Sequence, residues 1–158
     1  MLECLLPAPR VDVLQTVLQK VTFRSIGRSS DMQTREKKKI LAVVDDLLFT
    51  VKINDAAKRV GVDVEFLKSE RDVLDRAASE KPLLIILDLN NNSVEPLHLI
   101  EQLKAHGDLK KISLIGYLSH VQGELKQKAH EAGANIVMAR SAFSQNLQQI
   151  LKRHAGVV

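Results

Sequence analysis

The chain has 158 residues, of which 45% are hydrophobic, 27% charged and 3% aromatic, with a formal net charge of +4 and one cysteine. That balance predicts one soluble globular domain with a tail. It excludes a disulfide-built secreted scaffold and a thiolate metal site, because Cys4 has no partner. No apolar run approaches the length of a membrane span, and the opening MLECLLPAPR has no basic region ahead of its short apolar stretch, so a cytoplasmic protein without a membrane partner is expected. The charge is unevenly placed: residues 1–39 carry eight basic and four acidic side chains, and residues 40–158 carry fifteen of each. The basic excess belongs to the leader. The domain therefore lacks the basic and aromatic patches that grip phosphates and bases, and nucleic acid is not expected as a partner.

In chain order, residues 1–37 read as an N-terminal extension or linker. Val11, Leu14, Val17, Leu18 and Val21 fall on one helical face and predict a short amphipathic helix. The stretch from Arg24 to Lys39, with Gly, Ser, Thr and a basic run, reads as linker. Met32 stands ahead of QTREKKKILAVVDD and is an alternative natural start, in which case residues 1–31 are an extension; a docking helix is the rival expectation.

Residues 38–156 alternate short apolar runs with segments of helical period. The runs at 40–44, 62–66, 83–87, 112–118 and 135–138 have the length and β-branching of strands. Runs one, three and four are apolar on both faces, as parallel strands covered by helices on each side must be. Run two, with Asp63 and Glu65 in alternation, reads as an edge strand. Helices are predicted at 47–60, 70–79, 96–105, 121–132 and 141–154. Gly61, Gly107 and Gly133 stand where three of them should end, Asp46 and Ser141 where the first and last should be capped, and Pro82 where the second should stop. Five β-α units in series give an α/β fold: a flavodoxin-like, doubly wound, five-stranded parallel sheet with helices on both faces.

In such a sheet, ligands bind beyond the carboxyl ends of the strands where strand order reverses. Asp45 and Asp46 end the first predicted strand and Asp88 the third, so three carboxylates should converge in a shallow cleft. Like charges that close need a cation, a basic side chain or a raised pKa. A hard oxygen-ligand site for Mg²⁺ is the natural solution, against the blander reading of strand-end aspartates as caps or solvated loop residues. No glycine-rich phosphate loop follows the first strand, which disfavours a nucleotide or flavin site of the same topology. The five histidines are scattered and expected at the surface, while Tyr117, Met138 and Phe143 are expected in packing roles.

At these residues the sequence resembles the receiver domain of two-component response regulators, the CheY-like family, in divergent form. ILAVVDD resembles the family's acidic metal-binding end, KPLLIILDLN its third strand, and GANIVMARSAF the segment that carries an essential lysine followed by proline. Asp88 lies 42 residues after Asp46, and Arg140 lies 52 after Asp88, intervals like the family's. The resemblance implies a single-domain module of phosphorelay signalling, not an enzyme. Asp88 would accept a phosphoryl group from a sensor histidine kinase or phosphotransfer protein. Mg²⁺ would be held by Asp45, Asp46, Asp88 and the backbone carbonyl of Asn90. The output would be contact with a downstream protein, with the mixed charge of the last two helices compatible with a monomer or a homodimer.

Several departures bear on the readout. Leu118 stands where the family has threonine or serine, and Ser119 is one residue late, so Ser119 substitutes only if a bulge re-aims it. Arg140 replaces the family lysine, a planar fork in place of a point charge. Ser141 replaces the proline, and Val137 stands where the family often has a rotating aromatic. The loop NNNSVEP lacks the usual proline and glycine. Two expectations follow: a phosphorylated receiver read out through Ser119, His120 or Arg140, or a pseudo-receiver that binds partners whatever its phosphorylation state.

Overall fold

The computed structural model describes residues 37–119 and 122–156. The expected helix over Val11 to Val21, the alternative start at Met32 and His120 lie outside the described residues. Lys37–Val158 forms a compact unit of its own. Its elements run β1 (Lys39–Val43), α1 (Leu47–Val60), β2 (Asp63–Phe66), α2 (Glu70–Glu80), β3 (Leu84–Asp88), α3 (Pro96–Ala105), a 3₁₀ turn (Leu109–Lys111), β4 (Ser113–Leu118), α4 (Gly123–Ala132), β5 (Ile136–Ala139) and α5 (Arg140–Ala155). The five strands form one sheet in the order β2-β1-β3-β4-β5, and every neighbouring pair is parallel.

The strands are apolar on both faces because both faces are covered. Ile40 and Ala42 of β1, with Leu84 and Ile86 of β3, pack in one core with Phe49 and Ile53 of α1 and Phe143, Leu147 and Leu151 of α5. The alternating residues Leu41, Val43, Ile85 and Leu87 enter the opposite core with Val73 of α2, Leu99 and Leu103 of α3 and Ala129 of α4. Period-two alternation along each strand thus feeds two cores. As expected, β2 is an edge. Its Glu65 takes Lys39 at 2.6 Å and Arg76 at 3.2 Å, charge that discourages further strand addition.

The helix ends match the sequence in part. Asp46 caps α1 by accepting the Leu48 N–H, and Gly61 and Gly133 close α1 and α4 in the left-handed conformation. Gly107 does not close α3. That helix ends at His106 in an extended conformation, and Lys104 reaches forward to the Lys110 and Ile112 carbonyls, so the chain turns without a left-handed residue. Ser141 does not cap α5, because no connection separates β5 from the helix: Ala139 ends the strand and is itself the N-cap, and Arg140 is the first helical residue. The turn ahead of Pro82 is made by Lys81 at φ 46°; proline disfavours the right-handed helical region in the residue before it.

Gly133 sits at φ +119°, and a Cβ there would lie 2.6 Å from Lys104 Cγ. That lysine is tethered at its far end to two carbonyls and to Asn135 Oδ1, so it cannot swing clear. Gly133→Ala should cost about 1–3 kcal/mol in urea denaturation, whereas Gly123→Ala, where a Cβ meets nothing within 4 Å, should not lower the midpoint.

Candidate functional site

Strand order reverses between β1 and β3. The chain leaves β1 through α1 toward β2 on one side, and leaves β3 through α3 toward β4 on the other. The carboxyl ends of these two strands therefore border a crevice. Asp45 and Asp46 follow β1, and Asp88 is the last residue of β3, paired in register with Tyr117 of β4.

Arg140 joins two of these carboxylates. Its Nη1 lies 3.3 Å from Asp46 Oδ2 and its Nη2 3.4 Å from Asp88 Oδ2. The fork projects from the first residue of α5, one turn ahead of the buried Phe143. Phe49, Tyr117 and Phe143 form a stack with successive centroid separations of 5.0 and 4.6 Å. The guanidinium carbon sits 4.9 Å from the Phe49 centroid and 5.8 Å from that of Tyr117. The aromatic faces orient the cation while the carboxylates take its edges.

The remaining oxygens are also engaged. Asp46 Oδ1 accepts the Leu48 N–H at 2.8 Å, so the capping role and the site role fall on the same side chain. Asp88 Oδ1 accepts the Asn90 N–H at 2.9 Å. Asp45 is exposed and turns to the β3–α3 loop, where its Oδ2 accepts the Ser93 hydroxyl at 2.7 Å. The Ser93 N–H is in turn held by Asn91 Oδ1. That loop is also pinned to α2, since Glu70 accepts the Glu95 N–H and pairs with His98 at 3.1 Å. His98 is thus the exception among the histidines, which otherwise show no carboxylate partner among the described residues.

Asp88 is only 4% exposed. Burial pushes its carboxyl pKa up; the Asn90 N–H and the Arg140 charge oppose this, and the Asp46 and Asp45 charges add to it. The Tyr117 hydroxyl lies toward Asp88 without a well-formed hydrogen bond, and burial, followed by the Asp88 charge, pushes it up as well. Against three carboxylates the site sets one guanidinium. Among the described residues no three Asp, Glu, His or Cys side chains converge closely enough to ring a metal ion. The donor set nevertheless fits a hard divalent cation in kind and in charge: oxygen ligands only, and anionic charge left over after Arg140 is counted.

The two residues at the end of β4 settle differently. Leu118 is 3% exposed and points into the core shared with α2, α3 and α4. Ser119 lies beyond the strand, and its hydroxyl donates to Asn90 Oδ1 at 3.0 Å, not to Asp88. The Ser119 N–H donates to the same oxygen at 2.7 Å, and Asn90 Nδ2 donates to Gln122 Oε1 at 3.0 Å. Sequence reasoning gave Asn90 a role only through its backbone and missed this side-chain network, because hydrogen bonds across 29 and 32 residues leave no mark in local periodicity. It also missed Ser93 and the aromatic stack; Tyr117 and Phe143 are read from sequence only as packing residues, and Phe49 is given no role. Beside Arg140 a cleft of about 900 Å³ opens between the starts of α1, α4 and α5, with Lys52, Lys126 and Arg140 on its walls.

Folding Asp88 with a raised pKa means that stability falls as pH rises from the unfolded carboxylate value through the folded one. In metal-free buffer at neutral pH, Asp88→Asn should therefore raise the melting temperature by roughly 2–4 °C, and the gain should vanish at a pH below the unfolded carboxylate value. Arg140→Ala should lower it, because a buried carboxylate loses its cation. Calorimetry of the three proteins checks both signs.

Neither a comparison with protein-family models nor one with curated proteins finds a match. Solved structures do match. A response regulator from Thermotoga maritima is 18% identical, with a TM-score of 0.63 over 76% of this chain and 98% of its own. The chemotaxis response regulator CheY4 of Vibrio cholerae is 20% identical, with a TM-score of 0.65 over 75% and 98%. The receiver domain of a sensor histidine kinase from Pseudomonas aeruginosa, solved with a magnesium ion coordinated in its active-site cleft, is 20% identical with a TM-score of 0.65 over 76% and 98%. The flavodoxin-like sheet, its strand order and these likenesses agree: the chain has the CheY-like fold of response-regulator receiver domains.

Proposed function

We propose that the chain is a receiver module of two-component signalling in which Asp88 accepts a phosphoryl group from a phosphohistidine of a sensor kinase or phosphotransfer protein. The observation that carries this reading is the placement of Asp88 at the carboxyl end of a central strand, at the switch point, with the Arg140 guanidinium held on its Oδ2. In the transfer, a carboxylate oxygen of Asp88 attacks phosphorus, the phosphorus–nitrogen bond breaks, and the imidazole nitrogen leaves with the bonding pair. Arg140, already beside Asp88 Oδ2 and over the rings of Phe49 and Tyr117, would meet the phosphoryl oxygens with its fork. Asp45, Asp46, Asp88 and the Asn90 carbonyl would hold Mg²⁺, which when bound supplies charge neutralisation around the phosphoryl group. The magnesium-containing Pseudomonas receiver supports that assignment.

The module is not an enzyme acting on a separate substrate. Its output is contact with a downstream protein or a second copy, and its place is the cytoplasm; no helix among the described residues is long and apolar enough to cross a membrane. One observation favours a second reading, a phosphorylation-independent interaction module. Leu118 is packed into the core and offers no hydroxyl to a phosphoryl oxygen, while Arg140 already spans Asp46 and Asp88.

Acetyl phosphate separates the two. Intact-mass analysis after incubation with it should show one added phosphoryl group that requires both Mg²⁺ and Asp88, and Asp88→Asn should show none. A folded wild-type chain that gains no mass under these conditions would make the constitutive module the correct reading.

A further inference from the structure

The missing hydroxyl at position 118 poses a physical question: what carries a change at Asp88 to the segment that begins α4? The side chain of Leu118 is turned into the opposite core and cannot. Ser119 makes its hydrogen bonds to Asn90 and none to Asp88. Asn90 touches both sides. Its backbone N–H donates to Asp88 Oδ1 at 2.9 Å, and its side-chain oxygen accepts both the N–H and the hydroxyl of Ser119, at 2.7 and 3.0 Å. Its side-chain nitrogen donates to Gln122, the N-cap residue of α4, at 3.0 Å.

We propose that Asn90 is the positioning residue that couples the state of the Asp88 carboxyl to the β4–α4 connection, in place of a strand-end hydroxyl. Three features of the geometry favour it. The backbone half of the link is indifferent to the side chain at 90, while the other half depends on it entirely, so the two can be cut separately. Asn90 Oδ1 is the acceptor for two donors of one residue, which fixes its position against Ser119 more tightly than a single bond would. The N-cap of α4 makes no side-chain bond to its own helix, so Gln122 is free to serve Asn90. Alteration of Asp88 Oδ1 changes the acceptor of the Asn90 N–H, and the loop can answer only by moving the group that Ser119 and Gln122 hold. The role in signalling rests on the acceptor reading of Asp88; the coupling itself does not.

Amide NMR of the full-length chain tests it. Asp88→Asn should shift the Ser119 and Gly123 amide resonances when Asn90 is present and shift them at least about threefold less in the Asn90→Ala background. The Tyr117 amide region, tied to β3 through the sheet ladder, should respond equally in both. Hydrogen exchange at the Ser119 amide should be about fivefold faster in Asn90→Ala, the loss of one hydrogen bond. Equal shifts at Ser119 and Gly123 in the two backgrounds, or none in either, overturn the proposal, as does a phosphorylated wild-type chain whose Ser119 amide is unmoved. If acetyl phosphate adds no mass but Asp88→Asn still moves Ser119 only through Asn90, the coupling stands and the acceptor reading falls. Should Asn90→Ala not fold, Asn90→Ser, too short to reach Ser119, takes its place.

Discussion

A guanidinium laid across two carboxylates on an aromatic shelf is the interaction on which the site depends. Asp88 is buried, and a buried carboxylate without a cation is costly. Arg140 meets that cost from the first turn of α5, where its guanidinium lies over the rings of Phe49 and Tyr117, which stack in turn with Phe143. That aromatic stack is part of the core between the sheet, α1 and α5. Packing and electrostatics are therefore not separable here: the residues that join the two helices to the sheet also set the orientation of the cation. A lysine at the same place would carry the charge but not bridge two carboxylates in one plane.

Asp46 shows how one side chain serves two levels of structure. One oxygen caps α1 and the other faces Arg140. The sequence permits either reading, a cap or a site residue, and treats them as rivals. Geometry makes them compatible, since a carboxylate has two oxygens and the helix uses only one. The anchoring is useful to the site: a capped Asp46 cannot rotate away from the crevice without freeing the Leu48 N–H, so the acidic edge is held by the same bond that starts the helix.

The fold was legible in the sequence to within a residue or two at nearly every boundary, because doubly covered parallel strands and amphipathic helices each leave a period that survives local noise. The helix ends were less so. Gly107 and Ser141 have the right chemistry for a terminus, but Lys104 supplies one end from a distance and β5 runs straight into α5, leaving Ala139, which has no capping side chain, as the N-cap. Such outcomes depend on loop length and on a long side chain's reach. Of the site, the acidic positions and Arg140 were legible because residue type and order carry them. Their mutual arrangement was not: Asp45 turns to Ser93, and Asp46 and Asp88 meet through Arg140 instead of closing on one point.

The end of β4 explains why a one-residue displacement cannot be treated as a near match. Tyr117 enters the core with α1 and α5, Leu118 enters the opposite one, and both are buried. Moving a hydroxyl from 118 to 119 takes it past the end of the strand, where the ladder no longer sets its direction. What sets its direction is the acceptor it finds there, the Asn90 side-chain oxygen that also takes the Ser119 N–H. The loss of one hydroxyl is thus accompanied by a different connection between the same two loops, made from the β3 side instead of the β4 side. In a crevice where every carboxylate oxygen that meets Arg140 belongs to a residue with a second bond elsewhere, a change at Asp88 has few routes outward: through Arg140 into α5, or through Asn90 into the start of α4. The first passes along a fork set over aromatic rings of the core; the second passes along side-chain hydrogen bonds from Asn90, which stands between the buried Leu89 and Asn91, to Ser119 and Gln122. Of the two, only the second reaches the N-cap residue of α4 by hydrogen bonds, through Gln122.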